Sequence, residues 1–154
     1  MNPFEDRRPD KARIGERSAD FGVSMGSVFF SRNVSEFLTE TVSNDLRAAG
    51  HRMVDVGQDI TIGGEVIKFW VETKTTPLYW DIVGTIEIKL IFHPSQPDTK
   101  ILERQYKATK VERTYIYPTK KLAGKVLEAC VGDSMQQLHS DTIWTQDIVS
   151  LIEK

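Results

Sequence analysis

Cys130 and the histidines His51, His93 and His139 are the side chains best suited to bind a metal or attack a substrate. Their spacing serves neither chemistry. A zinc centre needs converging ligands, usually announced by paired Cys or His residues a few positions apart. Here the three histidines stand far from one another and the single cysteine has no partner. A thiol turns nucleophilic where adjacent cations favour the thiolate, and no basic residue adjoins Cys130. The chain has no G-x-S-x-G elbow and no glycine-rich phosphate loop. Gly63 and Gly64 in "IGGEV" read as a bulge or bend at a strand entrance. The expectation is no catalytic centre, no metal and no cofactor.

Binding chemistry has more to work with. Trp70, Tyr79, Trp80, Tyr115 and Tyr117 fall near strand ends or on a sheet face turned from the core. Such rings either pack cross-strand or form a docking surface for a protein, lipid or glycan. Together with Arg113, the expected contact set is Trp70, Tyr79, Trp80, Arg113 and Tyr115. The alternative uses the basic stretch "ERQYKATKVERTYIYPTKK". There Lys107, Lys110, Arg113, Lys120 and Lys121 interleave with aromatics and offer a nucleic-acid or phosphate-ligand surface. Glu103 and Glu112 interrupt that run, as on the wet face of an ordinary strand.

Composition bounds the rest. The 154 residues suit a single domain, 1–154, with a core of its own. A net charge of −2 gives no overall attraction to nucleic acid. One cysteine excludes an internal disulfide. No apolar stretch is long enough to span a bilayer as a helix. The N-terminus lacks the order of a secretion signal, leaving two readings: a cytoplasmic protein, or a chain that starts after a removed leader.

The elements that must position these residues follow from periodicity. Residues 1–18 are polar and carry prolines, so they read as a flexible loop or a short edge segment. Residues 19–31 are strand-like. Asn33 caps a helix whose apolar stripe is Val34, Phe37, Leu38, Val42, Leu46 and Ala49, and Gly50 stops it. A strand around "GHRMVDV" leads to three long strands. In the first, Ile67, Phe69 and Val71 share the apolar face. In the second, Ile82, Gly84, Ile86, Ile88, Leu90 and Phe92 do so, with Asp81, Val83, Glu87 and Lys89 opposite. In the third, Leu102, Arg104, Tyr106 and Ala108 align. Short polar connectors, including "HPSQPDTK", imply an antiparallel meander. A helix from Thr119 carries Leu122, Val126, Leu127, Cys130 and Leu138, weakened at Gly132. Asp141 caps a last short helix with Ile143, Trp144, Ile148, Leu151 and Ile152. The fold class is α+β: a two-layer sandwich, mainly antiparallel, with helices on one face.

One segment carries a family signature. Asp6, Arg8, Pro9, Asp10, Lys11, Ile14 and Gly15 in "FEDRRPDKARIG" resemble the D-x-R-P-(D)-x(3–4)-I-G element of the YajG-like uncharacterised bacterial lipoproteins. The helix "VSEFLTETVSNDLRAAGHRMV" and the tail "LAGKVLEACVGDSMQQLHSDTIWTQDIVSLI" extend the resemblance over most of the chain. Two family features are missing: most of the apolar strand before the signature and the lipid-modified cysteine after a signal peptide. The resemblance implies a periplasmic or outer-membrane-associated module with no established reaction. Its partner would be an envelope protein or a second copy of itself, and its only membrane contact a lipid anchor absent from this chain. On this reading the signature is the exit of a first strand turned by Pro9, with no nucleic-acid role.

Overall fold

The computed structural model describes residues 1–19, 23–54, 60–95, 101–143 and 146–147. Its order is β1 (Glu5–Asp6), β2 (Gly15–Ser18), β3 (Ser24–Val28), α1 (Val34–Ala48), β4 (Ile60–Thr75), β5 (Trp80–Pro94), β6 (Leu102–Thr114) and α2 (Lys120–Ser140). One sheet runs β3-β2-β4-β5-β6, and β1 pairs with β4 off that path. The β4-β5-β6 meander is antiparallel, as the short connectors require. Both described helices cover one face, where Asp45 of α1 and His139 of α2 meet with Oδ2 and Nε2 2.9 Å apart. The chain is thus the expected α+β sandwich.

The β5 alternation is regular throughout. Ile82, Gly84, Ile86, Ile88, Leu90 and Phe92 all point into the core, and the intervening residues face outward, part-exposed. Gly84 is the seat of α2: a Cβ there would lie 2.8 Å from Val126 Cγ1 and 3.1 Å from Cys130 Sγ. β4 differs from expectation. Ile67 is an extra residue, because Val66 pairs with Ile88 and Lys68 already with Glu87. Such a bulge reverses the parity of a strand. Gly64 and Val66 therefore face the core before it, and Phe69, Val71 and Thr73 after it, while Ile67 is only half-buried. The glycine pair does not make this bulge. Gly64 instead clears space for Phe4, whose ring atoms would lie 2.8 Å from a Cβ there.

α1 is capped by Asn33, whose Oδ1 accepts from the backbone N–H of Ser35 and Glu36 at 2.9 and 3.3 Å. It ends at Gly50, with φ of 93°. Val34, Leu38, Val42 and Leu46 are buried, whereas Ala49 is exposed beyond the last turn. α2 starts at its Thr119 cap and runs unbroken past Gly132, which lies on the solvent side and so interrupts no packing. No strand forms over 51–54, and residues 55–56 of the expected short strand lie outside the described residues, as do 96–100 of the "HPSQPDTK" turn. Most of the last expected helix, including Trp144, Ile148, Leu151 and Ile152, also lies outside them.

The polar N-terminal segment is built into the sheet. β1 and β2 run parallel to β4 along the same edge, against Glu65–Val66 and Val71–Glu72. Between them the chain leaves β4 over the bulge and is tied back by Arg8. That guanidinium, only 5% exposed, holds Asp6 through Nε–Oδ1 at 3.0 Å and Nη2–Oδ2 at 2.8 Å. It also donates to the carbonyls of Arg13 and Lys11 at 3.2 and 3.3 Å. Asp10 closes the loop, accepting from the N–H of Ala12 and Arg13 and from Arg13 Nε. Ile14 then enters the core, and Gly15 lies so close to β4 that a Cβ would sit 2.1 Å from the Val71 carbonyl oxygen. Each residue of the signature except Pro9 thus has a structural duty at this loop, Lys11 through its carbonyl alone. Burial pushes the Asp6 carboxyl up, but the hydrogen bonds and charge of Arg8 outweigh it and leave Asp6 below its ordinary value of 3.8.

Two measurements test this account. In urea titrations Gly15→Ala is expected to cost about 3 kcal/mol, because backbone blocks the added methyl. Gly132→Ala, on an open helical face, is expected to add roughly 0.5–1 kcal/mol. For the lock, Arg8→Ala is expected to cost about 3 kcal/mol by stranding Asp6 and two carbonyls. Asp6 has a depressed folded pKa, so its contribution is complete above pH 3.8 and drains away as pH falls through the folded value. Stability measured from pH 5 down to pH 2 should fall less steeply in Asp6→Asn than in the parent chain.

Candidate functional site

The five expected contact residues divide into three places. Tyr79, Arg113 and Tyr115 converge at one end of the sheet. The hairpin between β4 and β5 closes there, with Thr76 N–H donating to the Tyr79 carbonyl at 2.9 Å and Thr76 Oγ1 accepting from Tyr79 N–H at 3.1 Å. Pro77 suits such a turn, and the next residue, Leu78, is thrust outward to 79% exposure. Beside it β6 ends at Thr114, whose hydroxyl donates to the Ile116 carbonyl and accepts from the Ile116 N–H. That small turn leaves Tyr115 72% and Ile116 73% exposed.

Arg113 organises the patch. It grips Asp81 with Nε and Nη2 at 2.8 and 3.0 Å and lays its guanidinium carbon 3.6 Å from the centre of the Tyr79 ring. The hydrogen bonds from Arg113 hold the Asp81 carboxyl below its ordinary value. Tyr79 and Tyr115 meet edge to face, with ring centres 6.3 Å apart. Tyr117 lies instead near β2, with Arg17 6.0 Å from its ring centre. The Tyr79 and Tyr115 rings and the Arg113 guanidinium therefore hold one another in place. Sequence reasoning missed Leu78 and Ile116. Their signal was position: each lies within two residues of a proline that ends or turns a strand.

Trp70 and Trp80 do not join this patch or each other. Trp70 lies mid-sheet on the helix-free face, in a row with Thr85 and Thr109. It lines a cleft of about 430 Å³ under the 8–13 loop, where the Arg13 guanidinium stands 6.0 Å from its ring. Trp80 sits across from Thr75 and Thr114, in phase with buried Ile82, so it faces the helix side. Its indole nitrogen is enclosed, without a hydrogen-bond partner among the described residues.

The basic stretch carries acids with it. Lys107 pairs with Glu87 at 3.4 Å, Lys110 with Asp133 at 2.7 Å, and Arg113 with Asp81. Lys120 begins α2, away from the strand face. These pairs leave little unneutralised charge for a phosphate chain to collect. Cys130 is fully buried and burial pushes its thiol pKa up, which keeps it protonated. His139 faces Asp45, and His51 and His93 are exposed. Among the described residues no three ligating side chains gather into a metal site.

No family model matches this chain, and no curated protein matches it in sequence. Solved structures do match in shape. A Xanthomonas campestris protein of the DUF330 family superposes with a TM-score of 0.60 at 12% identity, covering 97% of this chain and 96% of its own. A minor lipoprotein of Acinetobacter baumannii superposes with a TM-score of 0.51 at 8% identity, covering 84% of this chain and 88% of its own. At such identities the likeness is one of fold: the sheet with helices on one face recurs nearly end to end, on sequences that share little else.

Proposed function

We propose that this chain is a non-enzymatic, envelope-associated module that docks a protein partner through the exposed end of its sheet. The observation that carries the reading is the surface formed by Leu78, Tyr79, Tyr115 and Ile116, with Arg113 already stacked on Tyr79. Monomer surfaces seldom gather large apolar side chains without a use. Tyrosine and arginine are also the residue types that anchor protein interfaces. The envelope location rests on the resemblance of the Asp6–Gly15 signature to the YajG-like lipoproteins and on a fold like that of the Acinetobacter minor lipoprotein. Anchoring to a membrane through a lipidated cysteine belongs to the same reading. The phosphate-binding alternative is disfavoured because Lys107, Lys110 and Arg113 are each matched by a carboxylate.

Photo-crosslinking in bacterial cells tests this. A benzoylphenylalanine in place of Tyr115 should give a specific adduct with a polypeptide that mass spectrometry identifies as an envelope protein. The same group at exposed Glu128, on the outward side of α2, should give none. The adduct should disappear when Leu78 and Ile116 are changed to Ser, substitutions expected to shift stability by no more than about 0.5 kcal/mol because both are at the surface. Equal labelling from positions 115 and 128, or an adduct indifferent to Leu78→Ser and Ile116→Ser, rejects the patch as a docking surface.

A further inference from the structure

β6 is the last strand of the sheet and runs 13 residues, Leu102–Thr114. A long open edge pairs with another strand unless something blocks it. Among the described residues, α2 reaches this backbone at Gln137, whose Nε2 donates to the Lys107 carbonyl at 2.9 Å. That oxygen keeps a second lone pair.

The charges of β6 are arranged antisymmetrically about Ala108. Counting outward, Lys107 answers Thr109, Tyr106 answers Lys110, Gln105 answers Val111, Arg104 answers Glu112 and Glu103 answers Arg113. Two copies laid antiparallel about a two-fold axis at Ala108 set every glutamate in this list opposite an arginine. There it would add to the carboxylates each arginine already holds in its own chain, Asp141 and Asp147 at Arg104 and Asp81 at Arg113. An axis at Lys107 sets that lysine against itself and Arg104 against Lys110. An axis at Lys110 sets Lys107 against Arg113. An axis at Thr109 opposes no charges of opposite sign. Opposite charges facing across strands stabilise a pair and like charges destabilise it.

The outer face agrees with this register. Glu65, Lys89 and Glu103 form a row, with Lys89 3.7 and 3.0 Å from the two carboxylates, that ends on an anion at the β6 edge. Asp81 and Arg113 form another that ends on a cation at the same edge. The axis at Ala108 brings the anionic end of one row to the cationic end of the other. We propose that this chain pairs with a second copy of itself through β6, antiparallel and centred on Ala108, joining two sheets into one. Such an interface is isologous, as a two-fold dimer requires. The two Tyr79–Tyr115 patches lie towards opposite ends of the joined sheet, and Arg113 is the residue this pairing shares with the docking reading above.

The test uses the whole chain with Lys107→Cys in one preparation and Thr109→Cys in another, both on the exposed face. In the proposed register only position 107 of one copy and 109 of the other come within disulfide reach, so under mild oxidation the mixture should yield roughly tenfold more covalent dimer than either alone. A second measurement needs no new cysteine. Glu103→Arg and Arg113→Glu should each weaken self-association about tenfold by sedimentation velocity, and mixing the two should restore it. A mixture that crosslinks no better than its components overturns the proposal. So does self-crosslinking of Lys107→Cys or Thr109→Cys alone, or charge variants that fail to re-associate when mixed.

Discussion

The single extra residue at Ile67 governs how this sheet is assembled. β4 is the long strand against which β1, β2 and β5 all pair. Without the bulge its buried side chains could not change parity between Val66 and Phe69. At the same point the N-terminal edge breaks into β1 and β2, and the chain loops away over 7–14. An interrupted edge leaves backbone groups in need of partners, and a buried guanidinium supplies several donors at once. Arg8 does this while its own charge is matched by Asp6. Bulge, loop and ion pair are therefore one device.

The two layers follow from where apolar area is available. Six consecutive inward positions of β5 present large aliphatic or aromatic groups, save for Gly84, which lets α2 approach closely. Both described helices use that face, and their ends meet at Asp45 and His139. The opposite face is held by rows of alternating charge, such as Glu65–Lys89–Glu103 and Asp81–Arg113. Each exposed pair contributes only about 0–1 kcal/mol. Their larger effect is on the character of the surface: charged rows alternate there with the Trp70–Thr85–Thr109 and Val83–Val111 rows, while Leu78, Tyr115 and Ile116 are exposed towards the hairpin end.

Legibility varied with how local the cause was. The α1 cap and stop at Asn33 and Gly50, the alternation of β5 and the meander were all readable, because each depends on nearby residues and short connectors. The parity of β4 was not. A bulge leaves no unique mark in sequence, and the glycines at 63 and 64 pointed to the wrong place. Trp70 and Trp80 read as members of one cluster, yet they face opposite sides of the sheet. Tyr79, Arg113 and Tyr115 did come together, though the exposed Leu78 and Ile116 beside them went unnoticed.

The amino-acid sequence by itself determined the class of fold, the helix limits and the residues available for the core, since periodicity, caps and turn chemistry act over a few positions. It also contained the Asp6–Gly15 signature without the meaning of its parts. Only the tertiary structure decided that Arg8 is buried against Asp6, that Gly15 has no room for a side chain, and which aromatic rings share a surface. Those outcomes depend on strand register and on contacts between residues more than fifty positions apart, such as Gly15 with Val71. A one-residue slip inverts every face, so no local pattern can settle them.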